Sequence, residues 1–128
     1  MHNTPQSNKW PLWFDPRHRK MGSWAFILNR ITAIGLTVYL CMHLIVLSKL
    51  AMGPEAYDSF IALAKKPAVI IGEMFVIAGA IIHGLNGIRI TITSFGFGVR
   101  YQKPIFIGLM VIAGAAIFLF GYKIFSEL

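Results

Sequence analysis

Two histidines, His43 and His83, each sit inside a long apolar run of the chain. An ionisable side chain is expensive in such a setting and usually marks function. At 3.6 residues per turn, Asn29, Thr32, Leu36 and Tyr39 share the His43 side of the first run, which gathers most of its polar groups into one stripe. The His83 side of the second run has Gly72, Val76, Gly79, Ala80, Asn86 and Gly87. Small residues there let another backbone, or a flat rigid ligand, come close. A neutral imidazole so placed has two uses: a hydrogen bond to a neighbouring helix, or axial ligation of haem iron. The single Cys41 permits no disulfide within the chain, reads as a small packed side chain, and belongs to no zinc-type spacing.

The elements that carry these residues are three apolar spans, at about Ser23–Ser48, Ala68–Ile92 and Ile105–Tyr122. Each approaches the ~20 residues that cross ~30 Å of hydrocarbon. A backbone in lipid must satisfy its own hydrogen bonds, so the spans read as helices, at about 23–49, 67–93 and 104–125. Pro67 and Pro104 stand before the second and third runs, where a helix start tolerates proline, and Gly53-Pro54 marks the loop after the first. The expected architecture is therefore all-α: a polar N-terminal segment, 1–22, and one three-helix transmembrane domain, 23–128. With 56% hydrophobic and 13% charged residues in 128, the composition lies far below the ~25% charge of soluble domains. The N-terminal stretch is polar and the following run is too long for a signal core, so no cleaved signal peptide is expected.

The net charge of +7 resolves once the basic residues are placed. Lys9, Arg17, Arg19 and Lys20 precede the first span; Arg100 and Lys103 join the second to the third, with Arg89 near that edge. The opposite side has Lys49, Lys65, Lys66 and Lys123, its loop also holding Glu55 and Asp58. This bias predicts a cytoplasmic N-terminus, an outer C-terminus and a multi-pass inner-membrane protein with no nucleic-acid partner. Trp10, Trp13 and Trp24 fit an interfacial aromatic belt.

Depth separates the histidines. By helical rise, His43 lies roughly 28 Å from the inner start of its span and His83 roughly 14 Å from the inner end of its own. An offset of about 15 Å suits two irons stacked across the membrane better than one iron clamped from both faces. His2 and His18 fall in the polar N-terminal segment, so the second ligand of each iron must come from another chain.

The runs Ala25-Phe26-Ile27-Leu28-Asn29-Arg30-Ile31-Thr32 and His83-Gly84-Leu85-Asn86-Gly87-Ile88-Arg89 resemble the cytochrome b membrane subunits of succinate dehydrogenase and fumarate reductase. That family carries a Ser-x-x-His-Arg-x-[Ser/Thr]-Gly signature on its first helix and His-x-x-x-Gly-x-Arg-His, then Asp, on its second. Phe26, Asn29, Ala33, Ile90 and Ser94 stand where the family has serine, histidine, glycine, histidine and aspartate. The resemblance implies that His83 ligates haem b and that Arg30 and Arg89 serve haem propionates, Arg30 also at the quinone site. Ser23, Asn29 or Thr32 would then supply a donor to the quinone. His43 resembles the first-helix ligand of the two-haem members. The partners implied are a second membrane anchor subunit, an iron–sulfur subunit and a flavoprotein subunit. The chain would not be catalytic on its own. A haem-free anchor or assembly subunit, its histidines used for packing, is the rival expectation.

Glu73, near the outer end of the second span, either reaches the interface or handles protons for quinone chemistry. A proton-handling role requires Glu73→Gln to slow quinone turnover; steady-state turnover equal to the parent's would assign the carboxylate to the interface.

Overall fold

The computed structural model describes residues 21–126, so Lys9, Arg17, Arg19, Lys20, Trp10, Trp13, His2 and His18 lie outside the described residues. Within these, the chain forms α1 (Met21–Ser48), α2 (Pro54–Ala64), α3 (Pro67–Ser94) and α4 (Gln102–Ser126), with 3-10 turns at Lys49–Met52 and Val99–Tyr101. No strand occurs among the described residues. The three long helices carry spans apolar and long enough to cross a membrane. The chain is thus an all-α, multi-pass membrane protein with three spans.

Helix boundaries follow the punctuation of the sequence. Pro54 and Pro67 open α2 and α3, each at a position whose N–H has no helical partner. Lys66, forced out of the helical region by the proline that follows, is extended at φ −73°, ψ 138°. Gly53 turns the chain at φ 107°, and Gly96 and Gly98 do so at φ 85° and 69° between α3 and α4. Here α4 starts two residues before Pro104, which still falls within the first turn. α1 likewise begins at Met21, slightly ahead of the expected start.

The connection after α1 carries a helix of its own, α2, beyond the Gly53-Pro54 turn. In α2 the half-buried Tyr57, Phe60, Ile61 and Ala64 recur at helical spacing while Glu55, Asp58 and Ser59 are exposed. That pattern lays one apolar side against the 3-10 turn and the start of α3.

α3 is the central helix, packed along both α1 and α4, which scarcely meet each other. Antiparallel order gives the bundle a proximal end, with the starts of α1 and α4 and the end of α3, and a distal end. Arg100 and Lys103 lie at the proximal end; Lys49, Lys65, Lys66 and Lys123 lie at the distal one. Burial is inverted relative to a water-soluble bundle. Among the described residues only Ala25, Ile27, Ala113, Asn86 and Arg89 are buried, while Ile34, Leu44, Phe75, Phe118 and their kind face outward. Lipid tails are as apolar as leucine, so leucines have no reason to turn inward.

Gly98 offers a test of this frame. A Cβ there would meet Ile105 Cδ1 at 2.9 Å on left-handed backbone. Gly98→Val should destabilise the folded bundle by about 1–3 kcal/mol, lowering Tm in detergent. Gly108→Ala, with open space on helical backbone, is the control and should not lower it.

Candidate functional site

The site grows from contacts between the proximal halves of α1 and α3. His83 Nδ1 lies 3.1 Å from the Asn29 carbonyl oxygen and 3.1 Å from Thr32 Oγ1. A carbonyl oxygen can only accept, so the proton resides on Nδ1. The Thr32 hydroxyl spends its own hydrogen on the Leu28 carbonyl at 2.8 Å, or on that of Asn29 at 3.1 Å, and therefore offers His83 a lone pair. In the neutral ring the lone pair is then on Nε2. A metal-ligating histidine characteristically has this arrangement, its other ring nitrogen donating to a carbonyl that fixes tautomer and orientation. The side-chain Oδ1 of Asn29 is buried beside it and has no hydrogen-bond partner among the described residues.

One turn along α3 is Asn86, wholly buried. Its Nδ2 donates to the Ala25 carbonyl of α1 at 3.0 Å, and its Oδ1 accepts from Arg89 Nε at 3.0 Å. Arg89 is buried as well, and its guanidinium lies 5.5 Å from the centre of the Phe106 ring on α4. Its side chain stays inside the bundle and does not reach out to the lipid surface. Phe106 also lines an open apolar cleft of about 390 Å³ with Met21, Trp24, Leu28 and Met110.

The remaining candidates lie elsewhere. His43 is exposed, eleven residues beyond Thr32 and hence about 16 Å further along α1 by helical rise. Its ring stacks on Tyr39 at 5.5 Å, with Tyr39 Oη 3.5 Å from Nδ1. From Thr37 to Ile45 every residue of α1 is exposed, so this part of the helix stands clear of its own bundle. Arg30 sits over the Phe26 ring at 4.2 Å, and helical periodicity places both Arg30 and Ser23 on the side of α1 away from Asn29 and Thr32. The structure thus unites His83 with Asn29 and Thr32, ties Arg89 to Asn86, and leaves His43, Arg30 and Ser23 apart. Glu73 is exposed in the distal half of α3.

Asn86 and Phe106 escaped the sequence reading as functional groups. The His83–Asn86–Arg89 spacing, three residues each way on one helix face, is the signal that could have found Asn86. Phe106 had none, because a phenylalanine in an apolar span is indistinguishable from its lipid-facing neighbours.

Comparison with known proteins bears on what this arrangement serves. The profile of the family described as "Succinate dehydrogenase/Fumarate reductase transmembrane subunit" matches residues 1–121. The "Succinate dehydrogenase 2 membrane subunit SdhC" of Mycobacterium tuberculosis is 31% identical over 104 residues, spanning 75% of this chain and 76% of that protein. The "Succinate dehydrogenase hydrophobic membrane anchor subunit" of Halobacterium salinarum is 31% identical over 97 residues, spanning 75% of each.

The tautomer is directly measurable. 15N NMR of the histidine-labelled, bilayer-reconstituted chain, free of added cofactor, should give His83 a protonated Nδ1 and a bare Nε2. Thr32→Val should keep that tautomer, because Asn29 still accepts, and weaken α1–α3 association by about 0.6 kcal/mol.

Proposed function

This chain belongs to the succinate dehydrogenase/fumarate reductase transmembrane subunit family; on that premise we propose that it is a cytochrome b anchor, binding haem b and helping form the quinone site of succinate:quinone oxidoreductase. Membership makes it a succinate dehydrogenase membrane anchor subunit with catalytic subunits as partners. The proposed partners are a flavoprotein and an iron–sulfur subunit on the proximal, cytoplasmic side, and a second membrane subunit.

The observation that carries the haem reading is the His83 imidazole, its Nδ1 occupied by Asn29 and Thr32, which makes Nε2 the lone-pair nitrogen of the neutral ring. The donor chemistry fits: a carbonyl behind Nδ1–H raises the basicity of Nε2 and prevents the ring from rotating. Gly79, Gly84 and Gly87 on α3 have open space where a Cβ would project, so backbone near His83 is accessible to a flat group. His43, stacked on Tyr39 and turned outward, would hold a second haem at the distal level. Bound haem supplies a one-electron iron couple within the membrane. The further imidazole needed to hold each haem would come from the partner membrane subunit.

The remaining residues supply charge and exclude water. Arg89 holds its cation inside the bundle, and Arg30 carries one on the other side of α1; both suit anionic propionates through charge-assisted hydrogen bonds. Arg30 with Ser23 forms the polar side offered to a quinone head. Asn29 and Thr32 serve His83 first in this reading. The rival, a haem-free anchor, draws on the same His83 bonds, which also join two helices.

A dithionite-reduced minus oxidised spectrum of the purified complex, with pyridine haemochrome quantification, separates the two. Two haems b are expected, His83→Ala losing one and His43→Ala the other. One haem, lost only with His83→Ala, would return His43 to packing. A complex without haem would make the chain an anchor alone.

A further inference from the structure

A carboxamide in the middle of a lipid-embedded bundle costs several kcal/mol unless both its ends are used. Asn86 is at 0% exposure, the largest fully buried side chain described, and both ends are used. Its orientation is unambiguous: the Ala25 carbonyl can only accept and Arg89 Nε can only donate, so Nδ2 and Oδ1 cannot be exchanged. The two bonds reach different helices. One leaves α3 for α1; the other stays on α3 and holds an arginine whose charged end rests on Phe106 of α4.

Their spacing gives the pair its mechanical meaning. Ala25 lies one turn before Asn29 on α1, and Asn86 lies one turn after His83 on α3. The Asn86–Ala25 and His83–Asn29 bonds are thus successive rungs between antiparallel helices. A single rung leaves the helices free to pivot or slide about it. A second rung one turn away removes both motions, and with them the freedom of the carbonyl on which His83 leans. Packing contributes little competing restraint here, since Ala25 and Ile27 are the only buried apolar residues of α1.

We propose that Asn86 is a positioning residue: it locks the register of α1 against α3, so that the Asn29 carbonyl meets His83 Nδ1 and the Arg89 cation stays inside the bundle. The consequence for haem rests on the function proposed above; the clamp itself does not. Asn86 touches neither haem nor quinone in this assignment and acts through His83 and Arg89.

The test uses the assembled complex with Asn86→Leu, close in volume and unable to make either bond, and Asn86→Asp, which keeps the acceptor for Arg89 and loses the donor to Ala25. Nitroxide labels at residues 22 and 90, in a Cys41→Ser background, report the α1–α3 separation by pulsed EPR. Both positions are exposed and outside the site. Both variants should broaden that distance distribution. They should also shift the low-spin ferric EPR signal and the midpoint potential of the His83 haem, leaving the His43 haem unchanged. Asn86→Asp should give the lower potential of the two, because it adds a carboxylate beside Arg89. Distances and signals matching the parent in both variants would overturn the proposal. If Asn86→Leu fails to assemble, Asn86→Asp decides by the same readouts. A parent complex without haem removes the haem reading, and the label distances then judge the clamp by themselves.

Discussion

Two side-chain-to-backbone hydrogen bonds, from Asn86 to Ala25 and from His83 to Asn29, hold the proximal half of this bundle together. In water such bonds would be secondary to burial of leucine and phenylalanine. In lipid that burial has no driving force, and a polar group left unsatisfied has nowhere else to turn. The interior accordingly holds an asparagine and an arginine where a soluble bundle would hold its largest apolar residues. Interhelical hydrogen bonds in membranes average only about 0.6 kcal/mol each. Two on adjacent turns therefore act less as a store of stability than as a device for register.

The central position of α3 follows from the same economy of contacts. It faces α1 with His83 and Asn86, and it reaches α4 through Arg89 and Phe106 and, near the distal end, through Met74 against Gly121. α1 is held only along its proximal half and runs free beyond it. A long helix whose distal turns touch little of their own chain fits a subunit that finishes its packing inside a larger membrane complex. The proposed division of labour follows: among the described residues His83 is oriented by Asn29 and Thr32 of a second helix, whereas His43 is oriented by Tyr39 of its own.

Much of the architecture was legible before any coordinates. Pro67, Gly53-Pro54 and the apolar run lengths gave span positions to within a few residues. Of the stripe that groups Asn29 and Thr32 with His43, only the Asn29 end is half-buried; Tyr39 and His43 are exposed. α2 was less legible, since five half-buried residues in eleven give a weak amphipathic signal beside two transmembrane runs. The roles inside the site were least legible of all. That His83 meets the Asn29 carbonyl and the Thr32 hydroxyl could not be read from either helix, because which helix face meets which is a property of the pair.

Composition and periodicity alone determined that this chain lives in a membrane, spans it three times and keeps histidines where lipid makes them costly. These are one-dimensional facts, set by the free energy of each segment in hydrocarbon. Only the tertiary structure decided that Nδ1 of His83 is the protonated nitrogen, that Arg89 is buried, and that Arg30 and Ser23 face away from both. Those outcomes depend on the rotation and register of one helix against another. The difference between competing registers is a few hydrogen bonds to backbone carbonyls, and every residue of a helix carries an identical carbonyl. The sequence names the donors; the packed helices choose the acceptors.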